Sequence, residues 1–122
     1  MKSILSLALA CMAASTPAVA QGAKDGQTVF NNACRTCHSV KDGDNRLGPS
    51  LRGVAGRKSG ASAGYDYSNA LKDGSLTWDD ATLEKFIENP DAVAPGHNMK
   101  PYTGLSNADD RKQIITYLKE QK

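Results

Sequence analysis

Cys34, Cys37 and His38 fall within five consecutive positions of Ala33-Cys34-Arg35-Thr36-Cys37-His38-Ser39-Val40. On a helical turn they stand at i, i+3 and i+4, so two thiols and one imidazole can face the same side. Four chemistries use such a set: a disulfide, thiol redox exchange, a zinc site and haem attachment. A disulfide across a two-residue spacer closes a loop so short that it adds little stability. Thiol exchange of the thioredoxin kind would want the pair beside a βαβ unit, and the chain carries no strand pattern. Zinc could draw on His97 as a fourth ligand, but tetrahedral sites take ligand pairs from separated knuckles, and a histidine directly after its cysteine is poorly placed. Haem attachment accounts for the spacing itself. Each thiol adds to one of two vinyl groups on the same porphyrin edge, and the next residue offers an imidazole to the iron. Haem is therefore the favoured reading, with the disulfide and zinc behind it.

An iron held by His38 on one face acts according to what takes the other. A filled position suits electron transfer; an open one suits ligand binding or oxygen chemistry. Met99 is the leading sixth ligand. It lies in Pro95-Gly96-His97-Asn98-Met99-Lys100-Pro101, and a polar, constrained loop is a poor place for a methionine that merely fills core. His97 is the competing ligand. It is expected to be a solvent-exposed loop residue, because a His/His iron would leave Met99 without a purpose.

The elements that position these residues begin after a leader. Met1 to Ala20 has Lys2 near its start, an apolar run from Ile4 to Ala14, and Ala18-Val19-Ala20. That is the pattern of a cleaved secretory signal, and the run is shorter than the roughly 20 residues that span a bilayer. Residues 1–20 are therefore read as the signal and 21–122 as a single domain. Cys11, Met1 and Met12 leave with the leader, so Met99 is the sole methionine of the mature chain. Export also fits haem attachment, which is done outside the cytoplasm. With 15 basic and 13 acidic residues in the full sequence, the near-even balance gives no support to nucleic-acid binding.

Asp25 to Ala33 reads as a first helix running into the cysteine motif, and Asn107 to Lys119 as a last helix capped by Ser106 or Asn107. Gly26 would let these two backbones approach closely. Between them, Thr77 can cap a helix whose Leu83, Phe86, Ile87 and Pro90 share one face, with Pro90 marking its end. A shorter helical turn is expected around Ser68 to Lys72. The stretches Val40 to Tyr67 and Asp91 to Leu105 are Gly- and Pro-rich without alternation, so a sheet is not expected. An all-α fold with long loops follows, and loops of that length need something to pack them.

The chain closely resembles the class I, single-haem cytochromes c, above all the mitochondrial type and its soluble bacterial relatives. The resemblance spans nearly all of Gly26 to Leu118. It is carried by Gly26 and Phe30, Cys34-Arg35-Thr36-Cys37-His38, Leu47-Gly48-Pro49-Ser50-Leu51, Gly56-Arg57-Lys58-Ser59-Gly60, Leu76-Thr77-Trp78, Glu88-Asn89-Pro90, Pro95-Gly96 with Met99, and Ile114 to Leu118. It implies a small all-α cytochrome c fold, with three main helices and long loops wrapped around one covalently bound haem. Cys34 and Cys37 would form the thioethers, and His38 and Met99 would be the axial ligands. The Pro49 carbonyl would accept a hydrogen bond from His38. Tyr67 and Trp78 would donate to a buried haem propionate, with Arg57 as its nearby positive charge.

The resemblance further implies a monomeric periplasmic electron carrier and not an enzyme. Its partners would be membrane-bound donor and acceptor complexes, such as a quinol–cytochrome c reductase and an oxidase or photosynthetic reaction centre. A haem enzyme or ligand sensor with a labile sixth ligand is the alternative. The chain departs from the mitochondrial pattern at Phe86, where a tyrosine usually stands near the Met sulfur, and at Pro101-Tyr102. There the segment from Met99 to Gly104 is one residue longer.

Overall fold

The computed structural model describes residues 25–122, together with residues 14 and 15. Apart from those two residues, the leader and its cleavage site lie outside the described residues. Among the described residues four helices follow one another: α1 (Gly26–Ala33), α2 (Asp80–Glu88), α3 (Pro90–Val93) and α4 (Ala108–Glu120). Among the described residues the extended chain forms one isolated antiparallel bridge, Lys58 with Thr77, and no strand. The all-α expectation holds, with a short fourth helix added.

Each longer helix starts on a polar cap. Asp25 accepts the Thr28 amide at 2.7 Å, and Asn107 accepts the Asp110 amide at 2.9 Å. The cap of α2 is Asp79, which accepts the Thr82 amide at 2.7 Å, and not Thr77 as expected. Thr77 is engaged in the bridge with Lys58, and the helix begins only after the backbone leaves that bridge. Pro90 ends α2 as expected and also opens α3, where its missing N–H is not needed. The segment from Ser68 to Lys72 is a hydrogen-bonded turn, with the Leu71 and Lys72 amides both on the Ser68 carbonyl at 3.0 and 3.1 Å.

α1 and α4 cross at Gly26. A Cβ there would overlap the Gln113 carbonyl oxygen and stand 2.7 Å from Tyr117 Cβ, so only a glycine allows the approach. Phe30 of α1 meets Tyr117 of α4 with ring centroids 5.2 Å apart. Val29, Phe30, Ile114, Ile115 and Leu118 form one half of the core. Leu83, Phe86, Ile87 and Trp78 form the other, all buried. α2 packs on α4, and Lys119 binds Asp80 across that contact at 2.9 Å. This framework fixes α1's C-terminal end, from which the cysteine motif departs.

Candidate functional site: a two-thiol, one-imidazole cradle

Cys34 is the C-cap of α1, and the chain stays in a tight turn beyond it: the Cys37 and His38 amides both donate to the Cys34 carbonyl, at 3.1 and 3.0 Å. The three side chains are thus held on one turn. Cys34 and Cys37 are unbridged and half-buried. Burial, with the neighbouring Cys37 as a smaller cause, pushes the Cys34 thiol up to about 12.

His38 is buried at 6% exposure. Its Nδ1 lies 2.8 Å from the Pro49 carbonyl oxygen, so Nδ1 carries the proton and Nε2 keeps its lone pair. Burial lowers its pKa, partly opposed by the bond to Pro49, and the ring stays neutral as a ligand must. The Pro49 loop is itself tied down. The Gly48 amide donates to the Cys37 carbonyl at 2.8 Å and the Leu51 amide to Ser39 at 2.8 Å. Asn45 accepts the Ser50 amide and donates to Ala63, each at 2.9 Å.

Gly48 has a role that the motif reading left unassigned. A Cβ on it would overlap the His38 ring and lie 2.7 Å from Nδ1 and 2.9 Å from Nε2. The glycine leaves the space in which the imidazole stands. Its signal in the sequence is a glycine directly before the proline whose carbonyl holds the ring.

The remaining expected site residues come from separate loops. Trp78 is buried and packs edge-on against Phe86 at 4.9 Å. The Tyr67 hydroxyl accepts the Ser62 amide at 2.9 Å, which leaves its own proton free to donate. Arg57 is half-buried, with its terminal nitrogens on the Arg52 and Ser50 carbonyls at 2.8 and 3.3 Å. Its Nε is buried without a partner, as is the Ser68 hydroxyl. Two buried donors without acceptors are costly unless an acceptor group stands between them and the core. They fit the carboxylates of a haem, as the cysteine pair fits its vinyl edge. Sequence reasoning missed Ser68 because a lone serine carries no motif.

Met99 is half-buried and packs against the core. His97 departs from its expected place in solvent: its side chain has no exposed surface, and its ring meets Phe86 edge-on at 6.0 Å. An apolar partner on one side and the chain's own backbone on the other draw it inward. Beyond Met99, the Tyr102 hydroxyl donates to the Ile87 carbonyl at 2.5 Å, and the Leu105 amide reaches the same carbonyl at 2.9 Å. The longer segment is thereby fastened to the end of α2, where helix carbonyls lack partners.

A neutral buried imidazole beside two unbridged thiols, on loops clasped by three helices, defines a covalent haem site, and the chain belongs to the cytochrome c family, whose model matches residues 23–122. As in that family, haem c is attached through Cys34 and Cys37, and the protein is a haem-based electron-transfer protein. Particular relatives agree. The chain is 47% identical over 89 residues to cytochrome c2 iso-2 of Magnetospirillum molischianum, covering 73% of this chain and 91% of that one. It is 44% identical over 98 residues to cytochrome c of Gibberella zeae, covering 80% and 92%. Cytochrome cH from Methylobacterium extorquens superposes with a TM-score of 0.71 at 38% identity, covering 78% of this chain and 94% of that one.

Proposed function

We propose that the protein carries single electrons with His38 and Met99 as the two axial ligands of its haem, and that it does so as an exported, periplasmic carrier. The observation that carries this reading is the His38 ring: buried, held at Nδ1 by Pro49 so that Nε2 keeps its lone pair, and carried on the same turn as both free cysteines. When bound, the haem supplies a one-electron couple at its iron. The chain's own residues keep that couple confined. Cys34 and Cys37 prevent loss of the group, and the Pro49 carbonyl holds one ligand ring in a single orientation. The loop around Met99 would offer a neutral sulfur as the second ligand, which would favour the reduced state. Tyr67, Trp78, Arg57 and Ser68 would supply hydrogen-bond donors and, through Arg57, positive charge to the propionates.

The partners in this reading are a membrane-bound donor and acceptor, such as a quinol–cytochrome c reductase and an oxidase or photosynthetic reaction centre. The carrier itself would act as a monomer and bind no nucleic acid. Among the described residues no helix is long and apolar enough to cross a membrane.

The test is the visible spectrum of the exported, haem-matured protein in both oxidation states. The weak far-red band of Met sulfur on oxidised iron is expected, and it should vanish in Met99→Ala. A high-spin resting iron that binds carbon monoxide readily would instead favour a haem enzyme or ligand sensor.

A further inference from the structure

His97 is a buried polar side chain that neither the attachment motif nor the axial pair uses. Its Nδ1 accepts the backbone N–H of Met99, two residues on, at 2.9 Å. This is the local side-chain-to-backbone bond that short polar residues make in turns, formed here by an imidazole. Because Nδ1 accepts, it is unprotonated, and in the neutral ring Nε2 carries the proton. Nε2 lies 3.0 Å from Asp91 Oδ1, close in distance but off the line of a hydrogen bond. The same carboxylate oxygen takes Lys100 Nζ at 2.9 Å. Residues on both sides of Met99 are thus drawn to one point on α3, while Phe86 closes the ring in from the other side.

We propose that His97 is a positioning residue for Met99: through Nδ1 it fixes the Met99 amide, and with it the direction in which the loop presents the Met99 side chain. The proposal rests on the reading of Met99 as the iron's ligand. The physical argument is one of freedom removed. Methionine has three rotatable side-chain bonds, so the loop can hold its sulfur in one place only if the backbone from which it springs is held first. The hydrogen bond from the Met99 amide to His97 is a polar restraint on the backbone from which that side chain springs.

Two variants separate the acceptor from the volume it fills. His97→Asn keeps an oxygen able to accept the Met99 amide but is smaller; His97→Leu keeps bulk but cannot accept. In the haem-matured protein, the far-red band and the midpoint potential are expected to stay near wild type in His97→Asn. In His97→Leu the band is expected to weaken or vanish and the potential to fall. The reverse order makes His97 a packing residue and overturns the proposal, as does wild-type behaviour in both variants or equal loss in both. Should either variant fail to fold, the nitrogen-15 shifts of His97 in the reduced wild-type protein still decide. An Nε2-protonated ring is required, and an Nδ1-protonated ring overturns the assignment. Absence of the far-red band from wild type would defeat Met99 ligation instead, and the shifts of His97 would report its bond to the Met99 amide independently.

Discussion

At the scale of single residues, the site depends on what is left out as much as on what is supplied. His38 stands where it does because Gly48 has no side chain and because Pro49 presents a carbonyl. Gly48→Ala is therefore expected to push the imidazole off that carbonyl and to destabilise the fold by about 1–3 kcal/mol, the usual cost of overpacking. Urea unfolding of the haem-matured protein measures it, and an unchanged midpoint would mean that the ring has room to move aside. Arg57 offers a second check. Its unpartnered Nε is buried, and removing its charge should leave the oxidised, more positive state easier to reach. Arg57→Gln is expected to lower the midpoint potential, read by redox titration; a potential equal to wild type would show that the guanidinium does not face the haem.

At the scale of elements, the helices are short, and each depends on its cap and its crossing. Gly26→Ala should force α1 and α4 apart against the Gln113 carbonyl and Tyr117, at about 1–3 kcal/mol of stability in chemical denaturation. Asn107→Ala should cost about 1 kcal/mol through the lost bond to the Asp110 amide. The cap of α2 carries a pH dependence. The bond from Thr82 holds the Asp79 carboxyl below its ordinary value of 3.8. A carboxyl more acidic in the folded chain than in the unfolded one stabilises the fold above that ordinary value. The contribution fades as pH falls below it and is gone below the lowered folded value. The stability gap between wild type and Asp79→Ala should accordingly be full at neutral pH and shrink below pH 3.8. Denaturation midpoints at stepped pH test this, and a gap that widens in acid would refute it.

At the scale of the whole molecule, two features govern how the protein holds together and meets others. Arg111 is buried and reaches Glu84 at 2.5 Å and the Leu105 and Ser106 carbonyls at 2.9 Å each. It joins α4 to α2 and to the far end of the Met99 segment, so a change there should loosen elements that are remote in sequence. The formal net charge is +2, small for a chain that would rely on long-range steering. Electron transfer to a membrane-bound partner is expected to lose less than about tenfold in rate between low and physiological salt, well short of strongly steered association. Stopped-flow rates across ionic strength measure it, and a steep fall would reveal a concentrated basic patch.

What the amino-acid order determined by itself is the chemistry that acts locally. Cys34, Cys37 and His38 share one turn, so their spacing favours haem attachment over a disulfide or a zinc site. Gly26 and the apolar period of the first and last helices declare that crossing, because helix faces repeat over three to four residues. The family likeness was legible for the same reason, since its landmarks are short runs. Contacts between loops were not legible, because no period links residues that meet only after folding. Thr77 looked as good a cap as Asp79 until its pairing with Lys58 removed it. His97 looked like a loop residue in water until Phe86 and the Met99 amide enclosed it. That Arg57 Nε and the Ser68 hydroxyl are each buried without a partner is visible only in three dimensions. The tertiary structure decided these points because burial, and the need to satisfy each buried polar atom, belong to the assembled chain and to no segment of it.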